Sequence, residues 1–141
     1  MRLLRTFFQT QKHTTMKALK IDVTSKTVTT VEINDYKEIY QQIGNGCEIF
    51  CCPVEFEEMD TLYADDESLL RGNLQGCFIL PDWSIPIVGN ALVLGTNDEG
   101  ESQDVKMSAD WLESQITWGN KEVAEQYQSE QALISPTVIF F

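Results

Sequence analysis

The segment GNALVLGTNDEGESQDV, residues 89–105, contains the part of the sequence that decides the fold. Its first half is the apolar run ALVL, residues 91–94, which lies between Gly89 and Gly95. Because successive side chains of a strand point to opposite faces of a sheet, this run presents apolar groups to both faces. The pattern predicts a central strand covered on both sides, with the two glycines where the backbone bends or packs closely.

The second half of the segment is an acidic turn, NDEGE, and two interpretations of it stay open. Asn, Asp and Gly accept the tight backbone angles of turns, which favours a solvated corner. Carboxylate oxygens also suit Mg²⁺ or Ca²⁺, although the spacing does not match an EF-hand loop. A site shared with the second acidic turn, ADDES, requires that the two turns meet. The candidate binding residues are Asp65, Asp66, Glu67, Asn97, Asp98, Glu99 and Glu101.

The elements before this strand predict a sheet packed by a helix. ALKIDVT alternates with period two and is followed by TVTTVEI, so residues 17–33 are expected to form a β-hairpin. In DYKEIYQQIG, Asp35 and Glu38 form a capping box, and apolar residues recur at helical spacing. Tyr36 and Tyr40 belong to this apolar stripe, which favours core packing over a ligand-stacking platform.

The later segments predict short strands and then helices. CEIFCCPV, TLYAD and GCFIL are expected to be strands, with Pro53 at a strand end or a sheet edge. SADWLESQITWG predicts a serine-capped helix with Trp111, Leu112 and Ile116 near one face, and NKEVAEQYQSEQAL predicts a second helix. The apolar tail, residues 134–141, is expected to dock as a strand or to meet a partner.

These elements predict an α+β fold with one small mixed or antiparallel sheet packed by a helix and with a C-terminal helical appendage. Residues 1–15 are interpreted as a mobile extension or an upstream start, and a transit peptide is the less favoured alternative. Residues 16–107 are expected to form a single α+β domain, and residues 108–141 the C-terminal helices and apolar tail. Since no run is long enough to span a bilayer, a soluble, cytoplasmic protein is predicted.

The charge of the chain limits its partners. The formal net charge is -12, and residues 16–141 carry 7 bases against 22 acids, a balance of -15. This balance opposes binding to a phosphate backbone and to an anionic membrane surface. A dense carboxylate surface instead favours a basic protein as partner, although carboxylates also serve solubility alone.

The four cysteines are predicted to be free thiols. Cys47, Cys51, Cys52 and Cys77 occur without a secretory signal, which indicates a reducing compartment. If CEIFCC is a strand, Cys47 and Cys51 face one side and Cys52 faces the other, so the three cannot converge on one ion. The only histidine is His13, in the predicted extension, and buried core positions are preferred over a metal site.

The sequence does not predict an enzyme. A Ser/His or Cys/His pair would have to recruit His13, and neither a P-loop nor a helix-opening G-x-G-x-x-G is present. No catalytic residue, metal or cofactor is therefore assigned. Two hypotheses stay open: a non-enzymatic acidic protein that binds a partner, or a small-molecule or divalent-ion binding domain that uses the acidic turns.

MKALKIDVTSKTVTTVEINDYKEIYQQIG, TLYADDESLL and GNALVLGTNDEGESQDV, in this order, resemble a domain-of-unknown-function family numbered 3846. The family occurs largely in bacteria, their phages and their plasmids, and the similarity extends from Met16 to about Met107. The resemblance implies an accessory protein of a phage or mobile element that acts on a host protein. It implies no catalytic residues, because none are established for the family.

Overall fold

The computed structural model describes residues 15–48, 50–56, 59–83 and 85–139. His13, the predicted extension up to residue 14 and the last two residues of the apolar tail lie outside the described residues. The elements of the described chain are β1 Met16–Asp22, β2 Thr27–Ile33, α1 Lys37–Ile43, β3 Phe50–Glu55, β4 Asp60–Asp65, a 3₁₀ turn Ser68–Leu70, β5 Cys77–Ile79, β6 Ile87–Val88, β7 Ala91–Thr96, β8 Ser102–Gln103, α2 Ala109–Gln115, β9 Thr117–Gly119 and α3 Lys121–Ile139.

Strand β7 lies at the centre of the larger sheet, as its two-sided apolar pattern predicts. The strand order is β2-β1-β7-β4-β3, all pairs are antiparallel, and β8 pairs with the end of β7. Leu92 is paired with Lys20 on one side and with Tyr63 on the other. Strand β3 forms an edge, and its register shifts around Pro53, which has no amide hydrogen to donate to a ladder.

Apolar side chains cover both faces of this sheet. On one face, Leu92 and Leu94 pack with Ile39 and Ile43 of α1. On the other face, Val93 belongs to a cluster that includes side chains of a second sheet and of α2. The predicted α+β class, with an antiparallel sheet packed by a helix and with C-terminal helices, is therefore confirmed.

The second sheet, with order β6-β5-β9, is an addition to the single sheet that the sequence predicts. Strand β5 corresponds to the predicted GCFIL strand. Strand β6 lies within PDWSIPIVGN, whose two prolines predict a loop, and β9 directly follows α2. Strands of two or three residues are too short to show a period of two. The Phe78 ring is fully buried, with its centroid 6.4 Å from that of Trp118, and the sheet covers the Val93 face.

The two carboxylates of the predicted capping box lie at the start of helix α1, but the N-cap is Tyr36 rather than Asp35, and the Tyr36 side chain makes no capping hydrogen bond. The Asp35 carboxylate accepts a hydrogen bond from the first amide of the helix (2.9 Å), and Glu38 accepts one from the amide before Asp35 (3.0 Å). Tyr40 packs its ring 4.9 Å from that of Phe50, as core packing predicts. Tyr36 precedes the helix and is 54% exposed, so its predicted place in the core is wrong.

Helix α3 continues through most of the apolar tail. The spacing of NKEVAEQYQSEQAL predicts an apolar stripe of Val123, Ala124 and Tyr127. Ala124 is fully buried against Leu74, Cys77 and Val88 with Tyr127 beside it, whereas Val123 is 46% exposed, so its predicted place in the stripe is wrong. The helix extends to Ile139, so the alternative that the tail docks as a strand is wrong for residues 134–139. The alternative that the tail meets a partner stays a prediction.

Candidate functional site

A groove of about 690 Å³ lies where the end of β3, the segment between β5 and β6, and α2 meet. Its apolar lining residues are Val54, Phe56, Leu80, Pro81, Trp83, Met107, Trp111 and Leu112, and its polar ones are Glu55, Asp60, Asp82, Ser108 and Gln115. Within the described residues it is lined by no lysine, arginine or histidine. We refer to it as the aromatic groove.

A tight turn positions Trp83 in the aromatic groove. The Trp83 amide donates a hydrogen bond to the Leu80 carbonyl (3.1 Å), which closes a four-residue turn around Pro81 and Asp82. Proline suits the second position of such a turn because its ring fixes φ, and Asp82 adopts the left-handed φ of 62° at the third position. The turn leaves the Asp82 side chain exposed and Trp83 partly buried against the Val93 face.

Helix α2 positions the second tryptophan. Ser108 is its N-cap, as predicted, and its hydroxyl accepts a hydrogen bond from the Trp111 amide (3.1 Å). Leu112 and Ile116 are buried, whereas Trp111 is 50% exposed, so its predicted position on their shared face is wrong. Exposed tryptophans beside a groove are frequent anchors in protein–protein interfaces.

Asp60 lies at the base of the groove and is 1% exposed. Its two carboxylate oxygens accept hydrogen bonds from the Lys106 amide (3.0 and 3.1 Å), and one of them also accepts from the Met107 amide (2.9 Å). Such charge-assisted bonds offset the cost of burying a carboxylate. Through these hydrogen bonds Asp60 holds the segment before α2 against the start of β4 and so positions one side of the groove.

The first predicted turn is organised around an ion pair. Asp65 is 7% exposed, and its carboxylate accepts two hydrogen bonds from the Arg71 guanidinium (2.8 and 3.2 Å) and one from the Glu67 amide (3.0 Å). The Glu67 carboxylate lies 3.7 Å from the same guanidinium. Asp66 is exposed. These contacts give the carboxylate of Asp65 a structural role in the turn.

The second predicted turn is closed by Asn97. Its side-chain oxygen accepts hydrogen bonds from the Glu99 amide (2.9 Å) and the Glu101 amide (2.8 Å), and its side-chain nitrogen donates to the Glu101 carboxylate (3.0 Å). The side chains of Asp98 and Glu99 are exposed. The contacts are those of a well-formed corner, which is the interpretation that turn preferences favour.

The two turns do not meet. Strands β4 and β7 are antiparallel, with Asp60 opposite Gly95 and Ala64 opposite Ala91. Because each turn follows the C-terminal end of its strand, the two turns lie at opposite ends of the pair, separated by roughly 17 Å of strand at about 3.4 Å per residue. The expectation of one site built where the turns converge is therefore wrong.

The cysteines also lie apart. Cys51 packs against the face covered by the second sheet and Cys47 against the face covered by α1, so the prediction that both point to one side is wrong. Strand β3 begins after Cys47, so the strand alternation does not reach it. Cys52 is exposed and Cys77 is buried in β5. Burial, together with the nearby Asp66, raises the pKa of Cys51 to about 11.

The sequence does not mark the residues of the aromatic groove as a site. PDW at residues 81–83 predicts a stiff loop, and Trp111 follows a predicted serine cap, but neither pattern shows that the two tryptophans face one groove. Asp60 belongs to an acidic run in which nothing marks it as the buried member. Within the described residues, no group of three His, Cys, Asp or Glu side chains is arranged to hold a metal ion.

The helices of the described chain are too short or too polar to cross a membrane. A family model described as "Domain of unknown function (DUF3846)" matches residues 16–116, from β1 to the residue after α2. All lining residues of the aromatic groove lie within the matched range. Comparisons with curated proteins and with solved structures found no significant match.

Proposed function

We propose that this chain, which belongs to the family described as "Domain of unknown function (DUF3846)", is a non-catalytic protein that binds a basic protein partner in the aromatic groove. One observation carries the proposal: Trp83 and Trp111 line the same groove as Glu55 and Asp82, without a base among its described lining residues. In this proposal the protein is a cytoplasmic accessory protein of a phage or mobile element, and the partner is a host protein.

The lining of the groove suits an arginine or lysine flanked by apolar residues. A cation over a tryptophan face gains about 0.5–2 kcal/mol, and the apolar stem of the side chain packs on the same surface. Glu55 and Asp82 have exposed side chains and can pair with the cationic end. The net charge of -12 steers a basic partner towards the protein over a longer range.

Two further observations support a binding role without catalysis. The oxygens of Asp60 accept hydrogen bonds from backbone amides, so this carboxylate serves the fold. The raised pKa of Cys51 keeps its thiol protonated at neutral pH, which makes it a poor nucleophile.

Tryptophan fluorescence with synthetic peptides tests the proposal. A peptide that alternates arginine and leucine should give a saturable change in the emission of Trp83 and Trp111. The same peptide with glutamine in place of arginine should bind at least about tenfold more weakly, because close charge pairs contribute one to several kcal/mol. Equal binding of the two peptides would contradict the proposal.

Variants locate the binding to the groove. The double variant Glu55→Gln/Asp82→Asn should weaken binding of the arginine peptide about tenfold, and Trp111→Ala should weaken it by a similar factor. A matched control is Glu122→Gln/Glu125→Gln, which removes the same charge from exposed positions of α3 outside the groove. If the control weakened binding as much as the groove variant, general electrostatic attraction would replace the groove as the explanation.

A further inference from the structure

A second cavity, of about 300 Å³, lies at the opposite end of the larger sheet, beside the end of α1 and the turn before β7. Its charged lining residues are Lys20, Arg71 and Asp65, its carboxamide side chains include those of Gln41, Asn45 and Asn90, and we refer to it as the polar pocket. Asp60, at the start of β4, lines the aromatic groove, whereas Asp65, at the end of the same strand, lines the polar pocket. The two cavities are therefore separate sites.

The polar pocket reverses the charge balance of the chain. Although the sequence has 22 acids and 10 bases, two bases and one acid line this cavity in the part of the chain that the structure describes. The one acid, Asp65, already accepts hydrogen bonds from Arg71 and from the Glu67 amide, so its charge is compensated. Lys20 is partly buried, and its ammonium makes no hydrogen bond or ion pair with any described part of the chain.

Carboxamide groups around the pocket add hydrogen-bond donors. The side-chain oxygen of Asn90 accepts from the Val23 amide (2.9 Å), which leaves its NH₂ group to donate. Gln41 and Asn45 make no side-chain hydrogen bond within the described residues. A cation with several neighbouring NH₂ donors is the arrangement that binds an oxyanion.

A purely structural role for Lys20 would explain its position but not the side-chain amides around it. The end of α1 lies beside it, and the partial negative charge of a helix C-terminus attracts a cation. This attraction is small for a helix of seven residues, and it does not account for the side-chain amides that line the same cavity, of which those of Gln41 and Asn45 belong to exposed residues. We infer that the polar pocket binds a small molecule with a carboxylate or phosphate group, held by Lys20 and by the amide donors of Asn45 and Asn90.

The test is an NMR titration of the ¹⁵N-labelled full chain with inorganic phosphate and, separately, with succinate. Either anion should shift the side-chain NH₂ signals of Asn45 and Asn90 saturably, whereas sodium chloride at equal ionic strength should not. The anion that binds more tightly distinguishes a phosphate ligand from a carboxylate ligand. Absence of a saturable shift with both anions would overturn the inference.

Two variants test the roles of the lining residues. Lys20→Met keeps the apolar stem and should weaken anion binding at least about tenfold, since a charge-assisted hydrogen bond is lost. Asn90→Asp keeps the oxygen that accepts from the Val23 amide but adds a negative charge, and it should abolish binding. Lys37→Met, at an exposed position of α1, is the matched control. Binding by Lys20→Met that equals that of the control, at an unchanged melting temperature, would overturn the inference.

Discussion

Close packing of the backbone explains why the central strand β7 contains a glycine at position 95. A β-carbon at this position would collide with the carbonyl oxygen of Asp104 and would lie 3.2 Å from the Gln103 side chain. The sequence predicts either a bend or close packing at Gly95, and the structure shows close packing against the returning chain. At Gly89 the backbone bends instead, with a φ of 90° that residues with a β-carbon rarely adopt.

Gly95→Ala should destabilise the fold by roughly 1–3 kcal/mol, the usual cost of forcing extra volume into a packed region. The midpoint of urea unfolding measures this loss. Gly72→Ala is the control, because a β-carbon there meets no atom within 4 Å and the backbone angle is an ordinary one. A loss at Gly95 no larger than that at Gly72 would contradict the explanation by close packing.

The raised pKa of Cys51 leads to a prediction about the reactivity of its thiol. Its pKa is raised from 9.0 to about 11, mainly by burial and also by Asp66. At about pH 8 the thiol should therefore react with iodoacetamide ~10–100-fold more slowly in the folded protein than in urea, because less thiolate is present. Mass spectrometry of the alkylated peptide measures both rates.

The raised pKa of Cys51 also determines the direction in which the stability of the fold changes with pH. Above pH 9 the unfolded chain releases the Cys51 proton while the folded protein retains it, so stability should fall as pH rises from 9 towards 11. Cys51→Ala should reduce this fall. Equal alkylation rates in the folded and unfolded states would show that the environment of Cys51 does not perturb the thiol.

Antiparallel pairing decides, at the scale of the elements, which loops come together. The sequence places an acidic turn after β4 and another after β7, but their pairing sends the two turns to opposite ends of the sheet. The groove arises in the same way, from elements distant in sequence: β3, the turn at Pro81 and α2. Strand β3 and helix α2 were predictable from the sequence, whereas the contacts between them were not, because periodicity carries no information about pairing.

Helix α2 depends on its serine cap. Ser108→Ala removes the acceptor of the Trp111 amide and should cost about 1 kcal/mol of stability, the usual effect of losing an N-cap. It should also weaken binding of the arginine peptide, because the cap fixes the start of the helix that carries Trp111. Urea unfolding and the fluorescence titration measure the two effects. Ser129→Ala, at an exposed position within α3, is the control and should leave both unchanged.

The whole molecule combines a strong net negative charge with two cavities of opposite character. Among the described residues, three acids line the aromatic groove, whereas two bases line the polar pocket. Since the net charge is -12, attraction of a basic partner should be sensitive to ionic strength over distances comparable with the Debye length. The same field opposes the approach of an anion, so only a local cluster of donors can hold one.

Raising the sodium chloride concentration from about 0.05 M to about 0.5 M should therefore weaken binding of the arginine peptide, mainly through a slower association rate. Stopped-flow tryptophan fluorescence separates the association and dissociation rates. The glutamine peptide is the control, because its weak binding should change little with salt. Arginine-peptide binding that does not depend on salt would show that charge contributes little.

The sequence by itself determined the α+β class, the two-sided burial of β7, the serine cap of α2 and the acidic character of the chain. These features are local or additive: strand alternation, helical spacing and charge can be read from neighbouring residues. Only the tertiary structure decided that the acidic turns lie apart, that Trp83 and Trp111 share a groove and that Lys20 lies in a pocket. The physical reason is that these contacts join residues far apart in the chain, whose meeting depends on strand order and register.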